Sequence, residues 1–414
     1  MERFRIIGGS PIRGCAKVDS AKNALLPILA ATLLTEEPVT LTGCAKLSDV
    51  ENMLRILRVL GCRAEMEGDS AQIDAGGATG WEMPEHLSKL IRSSIFMMGP
   101  ILGRFRKATV TYPGGCEIGL RPIDLHLKGL RALGVRIREA HGMIYCDGAH
   151  MRGGEVMLDF PSVGATENVM MAAALAPGRT VIRNAAREPE IYDLQQFINS
   201  MGGRVSGAGS SMIVVEGVKR LHGTRYRPMP DRIVAGTLLA AAAMTGGEIR
   251  LQNARSGDLD AALDKLTEAG CEVEAGENEI SLKAPQRLKP INLSTQPFPG
   301  FPTDLQAQFL SMACVAQGTS VVVENVFESR FAHAAQLMRM GADITISHRT
   351  AIVRGGQLTG ACVAARDLRG GAALVLAGLA ADGVTEVHGI SLVDRGYASL
   401  ENVLGGLGAR IVRI

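Results

Sequence analysis

No excess of charge of one sign marks this 414-residue chain: Lys and Arg total 44 against 42 for Asp and Glu. A protein without a general positive surplus is not built to coat nucleic acid or an anionic membrane. Any anionic ligand must instead meet a local cluster. Long hydrophobic runs are also missing. Runs such as Leu25 to Leu34 or Leu238 to Met244 fall far short of the roughly 18 to 20 residues that span a bilayer. Neither an export signal nor an anchor is expected at the opening Met-Glu-Arg-Phe-Arg. The eight cysteines include no CxxC and no Cys/His cluster, so neither a disulfide framework nor a zinc site is expected. A reducing cytoplasm is the simplest setting, with Cys44, Cys146, Cys314 and Cys362 read as ordinary core or strand residues.

What is abundant is apolar residue, 46%, and glycine, 49, enough for two or three domains with substantial cores. The glycines disclose a repeat. An apolar residue followed by Gly ends a helix-like stretch at Gly61, Gly134, Gly202, Gly270, Gly341 and Gly408, with successive spacings of 73, 68, 68, 71 and 67 residues. Each is placed to be the left-handed residue that turns a helix into a strand. An alanine-rich helix, apolar nearly all round, is expected at Asn23–Leu34, Ser93–Leu102, Thr166–Ala176, Ile233–Met244, Leu305–Val315 and Leu368–Ala380. Each unit thus reads helix, strand, helix, strand, strand. The fold class is α/β, with sheets around buried helices, and the Pro-punctuated Arg225–Pro230 near the midpoint suggests three units plus three.

Polar residues interrupt the buried helices at their starts: Lys22-Asn23, Arg92, Ser162–Thr166, Asp231-Arg232, Asp304 and Asp367-Leu-Arg369. Several helix N-termini at one place already favour an anion. Asp231, Asp304 and Asp367, taken singly, read first as caps, whereas Lys22, Arg92 and Arg369 oppose the helix dipole and point to a bound anion. A second set, Lys46, Arg121, Arg187, Arg255, Arg330 and Arg395, follows the first strand of each unit. Arg255 and Arg330 are expected to be solvated. The Gly-rich Tyr112–Pro122 segment carries Cys116 near Arg121, where a lowered thiol pKa would suit an acid or nucleophile. A plain surface thiol is the alternative. His126, a turn later, is given a structural role.

These segments, in order, resemble the enolpyruvyl transferase family over essentially the whole chain: Ala21-Lys-Asn-Ala24, Pro113-Gly-Gly-Cys116, Gly119-Leu-Arg-Pro122 with Asp124-Leu-His126, Ser162–Thr166, Asn184–Glu190, Phe301-Pro-Thr-Asp304, Val326-Phe327 with Arg330-Phe331, Asp367-Leu-Arg369 and Asp394-Arg-Gly-Tyr397. The resemblance implies a two-domain inside-out α/β barrel of six repeats, three per domain. The first domain would be residues 22–229 and the second residues 1–21 with 230–414, with the active site in the cleft between them. It implies transfer of the enolpyruvyl group of phosphoenolpyruvate to the 3-hydroxyl of UDP-N-acetylglucosamine, without metal or organic cofactor. Lys22, Asn23, Arg121, Arg369 and Arg395 would serve phosphoenolpyruvate. Asn23, Arg92, Arg121, Pro122, Ile123, Asp124, Leu125, Phe160, Pro161, Ser162, Val163, Gly164, Asp304 and Val326 would serve the nucleotide sugar. Cys116 would be the proton donor, the site of a covalent adduct and the target of fosfomycin, and Asp304 the base at the hydroxyl. Glu117 and Tyr112 depart from the family's loop. Shikimate 3-phosphate as acceptor, or a silent nucleotide-sugar-binding scaffold, are the rival readings.

Overall fold

A computed structural model describes residues 2–114 and 122–414. Cys116, Arg121 and the rest of the Gly-rich segment between Gly115 and Arg121 lie outside the described residues. The chain passes from one compact unit to another between Asp19 and Ser20, two residues before the expected start at 22, and returns between Met229 and Pro230.

In the unit that begins at Ser20, the buried helices are Lys22–Ala31, Met98–Phe105 and Val163–Ala174. In the other they are Arg232–Thr245, Gln306–Ala313 and Leu368–Ala380, which pack on one another. Their composition explains the burial. Alanine and glycine let backbones approach closely while Leu and Ile fill the gaps, and removing each such helix from water supplies the hydrophobic driving force. Leu374, Val375, Leu376 and Ala377 have no exposed surface at all. Two of the expected helices open with a 3₁₀ turn, Arg92–Met97 and Thr303–Leu305.

Each unit wraps its helices in three sheets. In one sheet, Glu248–Gln252 pairs antiparallel with Glu279–Lys283, which pairs antiparallel with Glu272–Ala275. All six repeats follow this order, and Gly61, Gly134, Gly202, Gly270, Gly341 and Gly408 all have φ between 86° and 96°. At Gly408 a Cβ would meet nothing within 4 Å, so glycine is there for backbone conformation alone.

A fourth strand, parallel to the first, was not expected. Glu155–Met157, Asn292–Ser294 and Cys362–Ala364 supply it from the segment just before the repeat. Two copies come from farther away. Arg225–Tyr226, after the third repeat, joins Val39–Thr42 of the first, and Arg13–Lys17 joins Glu248–Gln252 of the fourth. Arg3–Ile7 lies between Val384–His388 and Arg410–Arg413, where it stands as the last strand of the sixth repeat.

Candidate active site

In the unit that begins at Ser20, Lys22 is the first residue of its helix, and burial of that helix leaves the side chain only 8% exposed. Its Nζ lies 2.7 Å from Oδ2 of Asp49, which is itself buried. Asn23 follows, half-buried, and Arg92 opens its 3₁₀ turn with Nη1 donating to the Pro113 carbonyl at 3.4 Å. Ser162 caps the Val163–Ala174 helix, its Oγ accepting from the Ala165 N–H. Gly164 is required by a close approach: a Cβ there would stand 2.9 Å from His126 Cε1 and 3.2 Å from the Phe96 ring.

His126 is fixed in turn. Asn168 Oδ1 accepts from the Gly99 N–H at 2.7 Å, so its Nδ2 faces His126 Nδ1 at 2.7 Å and donates to it. In that arrangement Nδ1 is the accepting nitrogen of the imidazole. Pro122 and Asp124 are exposed, Ile123 is buried and Leu125 half-buried at the start of the Asp124–Ala132 helix. Phe160 is 48% exposed, with Pro161 and Val163 half-buried beside it.

In the other unit, Asp304 is the centre of a buried ionic group. Its Oδ1 accepts from Arg330 Nη2 at 2.8 Å, and its Oδ2 accepts from Arg369 Nη2 at 3.0 Å and Nε at 3.3 Å. The guanidiniums are 4% and 3% exposed and the carboxylate 26%. Burial would raise the Asp304 pKa, but the charges and hydrogen bonds of Arg369 and Arg330 outweigh it and hold the carboxyl far below the usual range. Desolvation opposes the Arg369 charge, yet Tyr397, Asp304 and Asp231 raise its pKa beyond that of an ordinary guanidinium. Among the described residues, one Arg369 nitrogen, Nη1, and Arg330 Nε find no hydrogen-bond partner.

Asp367 and Asp231 are caps, as expected: each accepts from two backbone N–H groups of the helix that follows. Asp304 is not, because both oxygens are held by arginines and no side-chain bond caps its helix turn. Arg255 is exposed, but Arg330 is buried, against expectation. Its guanidinium stands 5.4 Å from the Phe327 ring centre and is neutralised by Asp304, which removes the cost of burial that made a solvated reading the default. The Val326 N–H donates to Glu324 Oε1 at 2.8 Å, so a backbone contact from Val326 to a ligand falls to its carbonyl.

Sequence reasoning also missed Asp49 and Glu324, whose signal lies in pairings across the fold. It missed Glu167, fully buried with neither oxygen hydrogen-bonded among the described residues, where burial and then the charges of Glu190 and Glu188 push the pKa well above the usual range. Among the described residues, Cys362, Glu386 and His388 bring candidate metal-ligand atoms within 4.8 Å of one another. No local pattern marks this group, since strand register creates it by setting Cys362 opposite Glu386. Arg3 Nε already stands 3.1 Å from the Glu386 carboxylate, and a metal ion would have to displace that cation.

The family model described as EPSP synthase (3-phosphoshikimate 1-carboxyvinyltransferase) matches residues 6–404. A protein of Caldanaerobacter subterraneus subsp. tengcongensis named UDP-N-acetylglucosamine 1-carboxyvinyltransferase 2 is 52% identical, over 100% of both chains. UDP-N-acetylglucosamine 1-carboxyvinyltransferase 1 of Carboxydothermus hydrogenoformans is 48% identical, over 100% of this chain and 99% of its own. Among solved structures, the enolpyruvyl transferase NikO of Streptomyces tendae superposes with a TM-score of 0.90 at 23% identity, covering 100% of this chain and 98% of that one. Repeat architecture, buried helix-start cations and these full-length matches agree: the chain belongs to the enolpyruvyl transferase family.

Proposed function

We propose that this chain transfers the enolpyruvyl group of phosphoenolpyruvate to the 3-hydroxyl of UDP-N-acetylglucosamine with release of phosphate, the first committed step of peptidoglycan synthesis, in the cytoplasm. The observation that carries the reading is the full-length match, at 48 and 52% identity, to relatives named for that activity. The site supplies the means. Phosphoenolpyruvate is a compact anion with a phosphate and a carboxylate, which suits Lys22 as a point charge and Arg121, Arg369 and Arg395 as forks. The nucleotide sugar draws on Asn23, Arg92, the 121–125 and 160–164 runs, and the Val326 carbonyl.

The reaction proceeds by addition and elimination. As the sugar hydroxyl attacks C2, its proton passes to Asp304 and the Cys116 thiol delivers a proton to C3, giving a tetrahedral ketal. Return of a proton from C3 then expels phosphate, whose charge the arginines stabilise. Asp304, doubly paired, is a weak base while both guanidiniums hold it. It gains basicity when an anionic group of phosphoenolpyruvate takes over Arg369, which couples proton removal to the presence of both substrates. Cys116, by the same reading, is the residue that fosfomycin alkylates.

The deciding experiment is phosphate release from phosphoenolpyruvate, with UDP-N-acetylglucosamine or shikimate 3-phosphate as acceptor, each with and without fosfomycin. Turnover with the nucleotide sugar alone, abolished by fosfomycin, is expected. Turnover with shikimate 3-phosphate overturns the substrate, and nucleotide-sugar binding without turnover makes the chain a scaffold.

A further inference from the structure

Arg395 stands at the end of the 3₁₀ turn Ile390–Arg395, and the residues on either side of it are anchored to different parts of the unit. Asp394 is gripped by Arg413 of the C-terminal strand: Nη1 donates to Oδ2 at 3.0 Å and Nη2 to Oδ1 at 2.6 Å, a two-pronged fork. The same guanidinium donates from Nε to Glu401 Oε1 at 2.9 Å and from Nη1 to Glu2 Oε2 at 3.1 Å, and its carbon lies 5.1 Å from the Phe4 ring centre. Arg413 is therefore oriented by three carboxylates and a ring, and the strand that carries it is held by pairing of Phe4 with Arg413. On the other side, Tyr397 is buried. Its hydroxyl is 3.0 Å from Thr237 Oγ1 and accepts from Gln308 Nε2 at 3.0 Å, while its ring faces the Arg369 guanidinium at 5.3 Å.

We infer that Arg413 is a positioning residue for the phosphoenolpyruvate site: its fork on Asp394 and the Tyr397 anchor together fix the segment that presents Arg395, so that Arg395 meets the substrate anion without first being ordered. This rests on the proposed function, in which Arg395 faces that anion. Two further features support it. Both oxygens of Asp394 accept from Arg413, so the grip fixes the orientation of this carboxylate as well as its position. The fork is also specific to arginine, because a lysine ammonium is a point charge that cannot hold both oxygens in one plane.

The test is Arg413→Lys in the full chain, with Asp394→Asn as a second variant that breaks the fork from the other side. An unordered arginine must be immobilised on binding at about 0.5 to 1.5 kcal/mol, so KM for phosphoenolpyruvate should rise by about two- to twelvefold, with KM for the nucleotide sugar changing by less than about twofold. The Arg395 side-chain Nε–H resonance, sharp in the parent protein, should broaden in both variants. An unchanged KM for phosphoenolpyruvate accompanied by a lowered unfolding temperature shows Arg413 to be a staple of the fold only and overturns the inference. A parent protein that does not turn over refutes the function instead. In that case the resonance still decides, since identical Arg395 line widths in parent and variants overturn the positioning role.

Discussion

Replacing Asp304 with Asn should unbalance the most deeply buried charges of the proposed site. Arg330 and Arg369 are 4% and 3% exposed, and the carboxylate is the group that both are paired with. Removing one partner of a buried ion pair costs about 3 to 5 kcal/mol, because the charge left behind is not resolvated. The Asn carbonyl can still accept from one guanidinium, which places Asp304→Asn near the lower end, about 3 kcal/mol. For a unit of this size that corresponds to a fall of roughly 6 to 12 °C in its unfolding midpoint. The pH dependence has a definite sign. The folded pKa of Asp304 is depressed, so its contribution is fully present above the unfolded value of about 3.9 and is lost as pH falls toward the folded value. The difference between parent and variant, followed by calorimetry, should therefore be flat from about pH 5 to 8 and shrink below about pH 4. Inorganic phosphate should restore more stability to the variant than to the parent, since it can neutralise the vacated guanidiniums. A variant that melts with the parent, or whose deficit is the same at pH 3 as at pH 7, refutes the account of Asp304 as the neutralising partner.

Gly164→Ala places a methyl 2.9 Å from His126. It should cost about 1 to 3 kcal/mol in urea unfolding and raise KM for the nucleotide sugar, and no change in either would refute the close-contact argument. Glu167→Gln mimics the protonated acid. Because the folded pKa of Glu167 is raised, its favourable contribution is complete below the unfolded value of about 4.3 and is lost as pH rises through the folded value. The variant should accordingly match the parent at pH 4 and equal or exceed its stability at pH 8, and a less stable variant at pH 8 would show that a charged Glu167 is wanted. Gly408→Ala meets no neighbour but keeps φ at +93°. It should lower stability by about 1 to 2 kcal/mol through backbone strain alone, read as a shifted urea midpoint with unchanged KM values.

The repeat was legible because its punctuation is local. A glycine that must adopt positive φ and a helix buried on every side leave marks within a dozen residues, and Leu368–Ala380 could be bounded to the residue. The fourth strands were not legible, since strands as short as Arg225–Tyr226 and Asn292–Ser294 are too brief for an alternating pattern. Lys22, Arg92 and Arg369 stood out because a cation at a helix start is locally unfavourable. Arg330 did not, because an arginine in a loop has no local mark of burial and what buries it, Asp304, is 26 residues away. Asp304 itself was mistaken for a cap when taken singly, since a capping aspartate and an ion-paired one look alike until their partners are known.

The strand Arg3–Ile7 has a consequence for how the protein is made. It leaves the ribosome well before its partners Val384–His388 and Arg410–Arg413. At ordinary elongation rates it waits on the order of tens of seconds before the sheet it completes can exist. The unit contained between Ser20 and Met229 can gather all its own strands in the meantime, while its companion must hold an unpaired edge until those partners emerge. Arg3 and Ile414 then exchange two backbone hydrogen bonds of 2.9 Å, so a residue made late closes directly upon one made long before it.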